Sequence, residues 1–386
     1  MAMLEGVTVL DLASVGPAAR ASRWLADYGA TVVKVGPVPA HGGVQITPPF
    51  HSYSAHRDLQ RLLVDLKAAE GREVFLRLAE RADVVIESFR PGVVDRLGIG
   101  FDDVRERNPR IVYCSTTGFG QDGPRSGWAG HDLNYLAVGG YLHCTGPGPG
   151  GQPPIPGATI ADSAGGGMHA VMSILAALVQ RDRTDEGAFL DVSVADGVLA
   201  LMALQVDEYL ATGEIPQPRH GLLTGRYACY DTYAAGDGRW LAVAAIEHRF
   251  WANLCTALDL PQWIERQTDD DAQDEIRADL RAAFARRDRD AWVAELSGAD
   301  TCVAAVQTVP EAVADPQYEA RGAFVRAVHP EHGEFRQVGR TLAGMERTGS
   351  RQPVRPADAT DTDELLAAAG LSPDEVAKLR DAGVVA

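Results

Sequence analysis

The feature that most constrains the fold is an alternation, in the first third of the chain, between short β-branched runs and helical stretches. "VTVLDLA" reads as a buried strand, "ASRWLADYG" as a helix closed by Gly29, and "ATVVKVG" as a second strand. "AAEGREVFLRLAERA" reads as a helix, while "DVVIESF" and "PRIVYCSTTGFG" read as two more strands. Helices inserted between such runs imply a parallel, doubly wound sheet covered on both faces. Ligands of such sheets sit beyond the C-terminal strand ends, which places a site among the loops after Ala13, Val35, Phe89 and Gly118.

The rest of the chain changes pattern. "MHAVMSILAALVQRDR" is apolar on nearly every side at first, as a deeply buried helix is. "GAFLDVSVADGVLALMALQVDEYLATG" reads as a strand and another long helix, and Pro216, Pro218, Gly221 and Gly225 mark a linker. "RYACYDTYAAGDGRWLAVAAI" has a strand–turn–strand pattern with Gly-Asp-Gly at the turn, followed by amphipathic helices to about residue 316. "FVRAVHPEHGEFRQVG" reads as one more hairpin, and the tail as two short helices with Ser372 as a cap. At 386 residues the chain exceeds one compact core. The expected layout is a Rossmann-like α/β large domain over 1–200, completed by 325–386, with a linker at 201–225 and a smaller α+β domain over 226–324.

Charge narrows the function. Lys and Arg total 36 against 53 Asp and Glu, a formal charge of −17, which argues against nucleic-acid binding. A few well-placed cations can still form a pocket for a small anion. No run approaches the ~20 unbroken apolar residues of a membrane span, and the start lacks the layout of a signal peptide. Cys114, Cys144, Cys229, Cys255 and Cys302 are scattered and form no CxxC pair. No disulfide framework, no metal and a reducing cytoplasm are therefore expected.

Four stretches invite a chemical reading, and one of them is set aside. "GFGQDG" fits a dinucleotide fingerprint, but Pro124, Arg125 and Ser126 follow where a helix should open, so it reads as a turn. "AGHDLNYLAVGG" holds His131, which fits a packed structural histidine as well as a base; His143, His169 and His248 are its equals by composition. "PGATIADSAGGGMHAV" brings an extended segment to Asp162 and Ser163 and then three glycines. Either polar residue could cap the following helix. Three glycines cost a helix about 1 kcal/mol each relative to alanine, and what they offer is close approach of something to the backbone. In "LAVAAIEHRFW", Glu247 stands where a carboxylate commonly starts a helix.

Taken together, these segments are more specific than any one alone. "LEGVTVLDLASVGPAARASRWLADYGATVVKV", "VDLKAAEG", "ADVVIESFRPGVVDRLGIG", "NPRIVYCSTTGFGQDGP", "GAFLDVSVADG" and "DPQYEARGAF" resemble, in order, the family III CoA-transferases of the CaiB/BaiF superfamily. "GHDLNYLAVGG", "ADSAGGGM" and "AIEHRFW" resemble its α-methylacyl-CoA racemase branch. The resemblance implies catalytic roles for His131 and Asp162, with Glu247 as partner of the histidine. It implies CoA contacts at Val64, Asp65, Leu66 and Lys67, at Ser88, Phe89 and Arg90, at Arg96, and from Gly130 through Asp132 to Tyr135. It further implies an interlocked homodimer, an acyl-CoA substrate, and no separate cofactor or metal. Gly36 and Pro37 depart from the family pattern after the second strand, and Lys34 is a weak candidate contact there. Ser163 and His169 are shared with the transferase branch, in which the aspartate at the position of Asp162 is the nucleophile.

Chemistry separates the branches. Racemising the carbon beside a thioester needs two acid/base groups on opposite faces, and a His/Asp pair meets that need. Glu247 would orient His131, and backbone N–H groups after His131 or Asp162 would receive the enolate oxygen. The three glycines would let the acyl chain lie against the backbone. A transferase needs one carboxylate nucleophile and neither His131 nor Glu247. The set of three favours a racemase, with a transferase second and a non-catalytic acyl-CoA binder third.

Overall fold

The computed structural model describes residues 2–39, 49–146, 150–345, 347, 351–356 and 359–386. They form two compact units, one of residues 1–140, 156–204 and 316–386, the other of residues 141–155 and 205–315.

The first unit is built on six strands: β1 (Thr8–Asp11), β2 (Thr31–Gly36), β3 (Leu59–Leu63), β4 (Val84–Glu87), β5 (Val112–Thr117) and β6 (Ala188–Ser193). All pair in parallel, in the order β3-β2-β1-β4-β5-β6. The chain winds outward from β1 to β3, then returns to lay β4 on the other side of β1. The direction of winding therefore reverses between β1 and β4, which is where open α/β sheets form their ligand crevice. Alternate residues serve opposite faces. Val9, Val32, Val84 and Ile86 pack with the helices Gly16–Asp27 and His169–Thr184, through Ala18, Leu25, Ala170 and Ile174. Leu10, Val33 and Val85 pack with the helix Ala69–Ala79 and with Leu365, Leu366 and Val376 from the C-terminal helices.

Strand β3 has no counterpart in the sequence reading, because Gln60 and Arg61 break its apolar run. It is an edge strand, closed by distant chain. Arg61 exchanges hydrogen bonds with Asp361, its N–H donating to Oδ2 at 2.8 Å and its carbonyl accepting from the Asp361 N–H at 2.8 Å. Val64 pairs antiparallel with Val385, and the Ala386 N–H donates to the Leu63 carbonyl. Pairing of this kind covers part of the edge that β3 would otherwise present to another chain. A separate small sheet of this unit contains the hairpin β10 (Phe324–His329) and β11 (Gly333–Val338), with β12 (Arg351–Pro353) parallel to β10. Ser372 caps the last helix, its hydroxyl accepting from the Glu375 N–H.

The second unit has an antiparallel sheet of β7 (Tyr230–Ala234), β8 (Trp240–Ala244) and β9 (Val303–Ala305). Its helices close over Trp251, Leu254, Phe284 and Trp292. Residues 201–225 are not a bare linker. They include the helix Ala203–Thr212 and a 3-10 turn at Leu222–Thr224, because nothing before Gly213 breaks the helix. The unit boundaries fall at Leu204/Gln205 and Asp315/Pro316, and residues 141–155 join the second unit, where Gly146 lies beside Pro218.

One helical stretch, Ala161–Thr184, has 24 residues and a mean hydropathy of 1.2 in its most apolar window, enough by length and composition alone to cross a membrane. The reading that no run comes near a span needs that correction. Polar Asp162, Ser163 and His169 interrupt it, and Ala170, Ile174 and Ala177 pack against the sheet, as in the core helix of a globular protein.

Candidate functional site

Asp162 lies inside a helix rather than before it. Ile160 is the N-cap, the first eight residues (Ala161–Met168) take π-helical geometry, and the α-helix continues from His169. Neither Asp162 nor Ser163 is therefore a cap. π-Helical turns are rare and gather at functional sites. The three glycines sit in this turn, and what comes close to them is the chain itself. A Cβ on Gly166 would stand 2.6 Å from Pro17 Cβ, and one on Gly167 2.9 Å from the Trp24 ring. On the other side, a Cβ on Gly197 would stand 1.9 Å from the Gly165 carbonyl oxygen. The turn is thus clasped between the helices Gly16–Asp27 and Val194–Leu201. This corrects the expectation that the glycines make room for an acyl chain.

The clasp brings Arg20 to Asp162. Its Nη1 is 3.5 Å from Asp162 Oδ2, its Nη2 donates to Thr159 Oγ1 at 2.8 Å, and its guanidinium stands 5.4 Å from the centre of the Tyr53 ring. Burial pushes the Asp162 carboxyl above the usual carboxylate range; Arg20 pulls it down, Asp132 adds to the rise, and His131 opposes it. Sequence reasoning missed Arg20. Its only signal is an arginine among small apolar residues, one helical turn before Trp24.

His131 is the N-cap of the helix Asp132–Val138 and its side chain is exposed. Its N–H donates to Asn134 Oδ1 at 3.0 Å. The next residue supplies the link to Asp162: Asp132 Oδ1 accepts the Asp162 N–H at 2.9 Å. Among the described residues the backbone N–H groups of Asp132 and Leu133 have no partner, as expected for a helix start, and they follow His131 directly in the chain. Tyr135 is 7 % exposed, and its hydroxyl donates to the Gly130 carbonyl at 2.5 Å. A Cβ on Gly118 or Gly130 would collide with its ring, and Phe119 meets it edge-on at 5.2 Å. Burial, with Asp162 and Asp132 adding, pushes this phenol up to about 12. Tyr135 thus pins the loop that carries His131.

The stretches implied in CoA contact follow β3 and β4, two of the strands whose C-terminal ends share one edge of the sheet. Lys67, Ser88, Arg90 and Arg96 are exposed, and among the described residues the three cations have no ion-pair partner. Asp65, Leu66 and Phe89 are half-buried, and Asp65 Oδ1 accepts the Lys67 N–H at 3.0 Å. Val64 is in the core, 1 % exposed, with its N–H on the Gly36 carbonyl. Lys34 is occupied: Nζ is 2.6 Å from Asp11 Oδ2 and also donates to the Ala13 carbonyl. Glu247 belongs to the second unit, where it is the exposed N-cap of the helix His248–Ala257. "GFGQDG" forms a turn, with Gly120 and Gly123 at φ +84° and +82°.

A family model described as CoA-transferase family III matches residues 4–362. The chain belongs to this family. Among relatives of this family III chain, human alpha-methylacyl-CoA racemase is 34% identical over 83% of the chain and 82% of its own length. Human succinyl-CoA:glutarate CoA-transferase is 31% identical over 87% of the chain and 79% of its own length. A CaiB/BaiF family protein from Brucella suis has a structure matching with a TM-score of 0.72 at 29% identity, over 92% of this chain and 93% of that one. A hypothetical protein from Mycobacterium tuberculosis matches with a TM-score of 0.79 at 25% identity, over 95% of this chain and 99% of that one. Racemases and CoA-transferases thus stand at comparable distance from this member of the family.

Proposed function

We propose that this family III protein is a 2-methylacyl-CoA racemase that uses His131 and Asp162 as its two acid/base groups. The supporting observation is the hydrogen bond from the Asp162 N–H to Asp132, which ties the turn bearing Asp162 to the helix that His131 caps. Each group lies within the other's electrostatic reach. One group removes the α-proton of the thioester while the other returns a proton to the opposite face, and the roles exchange for the other enantiomer. The N–H groups of Asp132 and Leu133, at the start of the helix that His131 caps, supply donors for the enolate oxygen. Lys67, Arg90 and Arg96 offer unpaired positive charge for the phosphates of CoA. Glu247 as partner of His131 belongs to the same proposal.

The reaction draws on no resident cofactor or metal, since CoA arrives with the substrate. A homodimer, interlocked as in the family resemblance, is part of this reading. Met172, Leu199 and Leu204 of the first unit and Tyr209, Leu210 and Ile215 of the second are exposed apolar residues that a partner would cover. A cytoplasmic setting with neither nucleic acid nor membrane as partner completes it.

One observation favours the transferase as a second reading. Arg20 beside Asp162 stabilises the carboxylate, the form a nucleophile requires. Asp162 would then attack the thioester carbonyl, expelling CoA thiolate and leaving a mixed anhydride. The thiolate would attack the aspartyl carbonyl, releasing the first acid and leaving CoA on Asp162 for a second acid to collect.

Incubation of one 2-methylacyl-CoA enantiomer in deuterated water, without an acceptor acid, tests the choice. Deuterium at the α-carbon together with the opposite epimer is the expected result. An inert α-carbon, with CoA passing to an added labelled acid, would establish the transferase instead.

A further inference from the structure

At the C-terminal end of β4, beside the point where the sheet reverses its winding, stands an acid to which no function is yet given. Glu87 is 2 % exposed, and among the described residues no cation pairs with it. The strands on either side of it, β1 and β5, carry no cation, and Lys34 on β2 is taken by Asp11. A buried carboxyl without a counter-charge is costly, and a core residue of the same shape would avoid the cost. What holds it is a set of hydrogen bonds. Its Oε2 accepts the Phe89 N–H at 2.6 Å, and the Ser115 hydroxyl, in register with it on β5, favours its ionised form as a hydrogen-bond donor does.

The set continues beyond β5. Ser115 Oγ, 1 % exposed, accepts from Gln121 Nε2 at 2.6 Å. The Gln121 N–H in turn donates to Asp191 Oδ2 on β6 at 2.9 Å. A continuous chain therefore runs from the Phe89 backbone through Glu87, Ser115 and Gln121 to Asp191. Its first link lies in the loop Ser88–Arg90 and its later one in the loop that leaves β5 and leads to His131. Glu87 receives at one end of the chain, Ser115 receives from Gln121, and Gln121 donates twice, from its side chain to Ser115 and from its backbone to Asp191. Hydrogen bonds in such chains polarise one another inside a protein, so removing one member weakens those that remain.

We propose that Glu87 is a positioning residue which, through Ser115 and Gln121, locks the Ser88–Arg90 loop to the loop carrying His131 and so sets the affinity for CoA. The inference rests on the reading of Arg90 as a CoA contact. Glu87 does not touch the ligand; its carboxylate fixes the backbone from which Arg90 projects. Glutamine at this position keeps the size but replaces one of the two acceptor oxygens by an amide nitrogen that only donates, and its remaining oxygen is a weaker acceptor than a carboxylate, so the link between the Phe89 N–H and Ser115 is weakened.

The test is calorimetric titration of the full-length protein with coenzyme A. Glu87→Gln, Ser115→Ala and Gln121→Ala should each weaken binding about tenfold, and Ser115→Thr, which keeps the hydroxyl, should restore it. Any two of the three losses combined should cost no more than one, because members of one chain are not additive. Gln121 lies on a loop, so its variant keeps the comparison alive if a core variant fails to fold. Arg90→Ala is the control. If Arg90→Ala weakens binding while the three chain variants bind as the wild type does, or add independently, the inference is overturned. If Arg90→Ala itself binds normally, the assignment of the loop to CoA is wrong and the inference falls with it.

Discussion

Arg20 and Asp162, 142 residues apart in sequence, form an ion pair of 3.5 Å at the candidate site, with both side chains less than a quarter exposed. Two opposed effects therefore set the proton affinity of Asp162: burial raises it and Arg20 lowers it. Arg20→Gln leaves burial in place and removes the attraction. The affinity must rise, and the acid limb of the pH profile of kcat/KM should move to higher pH. At a pH on that limb the variant should be slower than the wild type, and at alkaline pH the two enzymes should converge. An unmoved limb would show that Asp162 does not titrate in the rate-determining state.

Removal of either acid/base group should abolish exchange at the α-carbon. Asp162→Asn and His131→Ala are each expected to slow deuterium uptake by about 10²–10⁴-fold. Circular dichroism and elution volume should match the wild type. Glu247→Gln should be milder, since the histidine stays in place. Full exchange in either of the first two variants would rule out the two-base assignment.

The glycine clasp makes a prediction opposite in sign to helix propensity. Alanine favours an exposed helix by roughly 1 kcal/mol over glycine. At Gly197, however, the added methyl would stand 1.9 Å from the Gly165 carbonyl oxygen. Gly197→Ala should therefore destabilise the protein by about 1–3 kcal/mol in urea unfolding. It should also reduce turnover, because Gly165 and Asp162 share one helical turn. A stability equal to the wild type would mean the helices part at little cost.

Glu87 has a distinct signature in stability. Burial pushes its carboxyl up to about 7 from an ordinary value of 4.5. The folded state therefore binds this proton more tightly than the unfolded state does. Its contribution is fully present below about pH 4.5 and is lost as pH rises through about 7. Glutamine imitates the protonated form at every pH. The stability of Glu87→Gln relative to the wild type should thus rise by about 2–3 kcal/mol between pH 5 and pH 8, whatever the lost hydrogen bond costs at both. A variant that is more stable at pH 8 yet binds CoA less well would mark a residue kept for function rather than for folding.

Local patterns in the sequence carried much of this. The β-branched runs of β1, β2, β4 and β5 announced a parallel sheet because strands buried on both faces need apolar residues at successive positions. The hairpins β7–β8 and β10–β11 were legible from their glycine turns, and Ser372 from its position before a helix. Strand β3 was not, since an edge strand tolerates Gln60 and Arg61, and its pairing with Asp361 depends on chain far away. At the site, His131 and Asp162 stood out as motifs. Arg20 did not, because the contact that makes it important is created by how closely two glycine-bearing helices approach. The π-helical turn was illegible for the same reason: glycines beside an apolar run do not state what will press against them.

The pairing of Val64 with Val385 has a consequence for how the protein comes into being. The segment after β3 is held from behind by residues more than three hundred positions downstream, with Asp361 and Ala386 fastening the strand beside it. Such long-range closure carries a large entropic cost and comes late. During synthesis, β1 to β5 leave the ribosome with the β3 edge bare and the Val64–Lys67 loop without its support. The edge closes only when the last helices arrive, so fusions or truncations at this end should be judged as changes to the Val64–Lys67 segment, not to a dispensable tail.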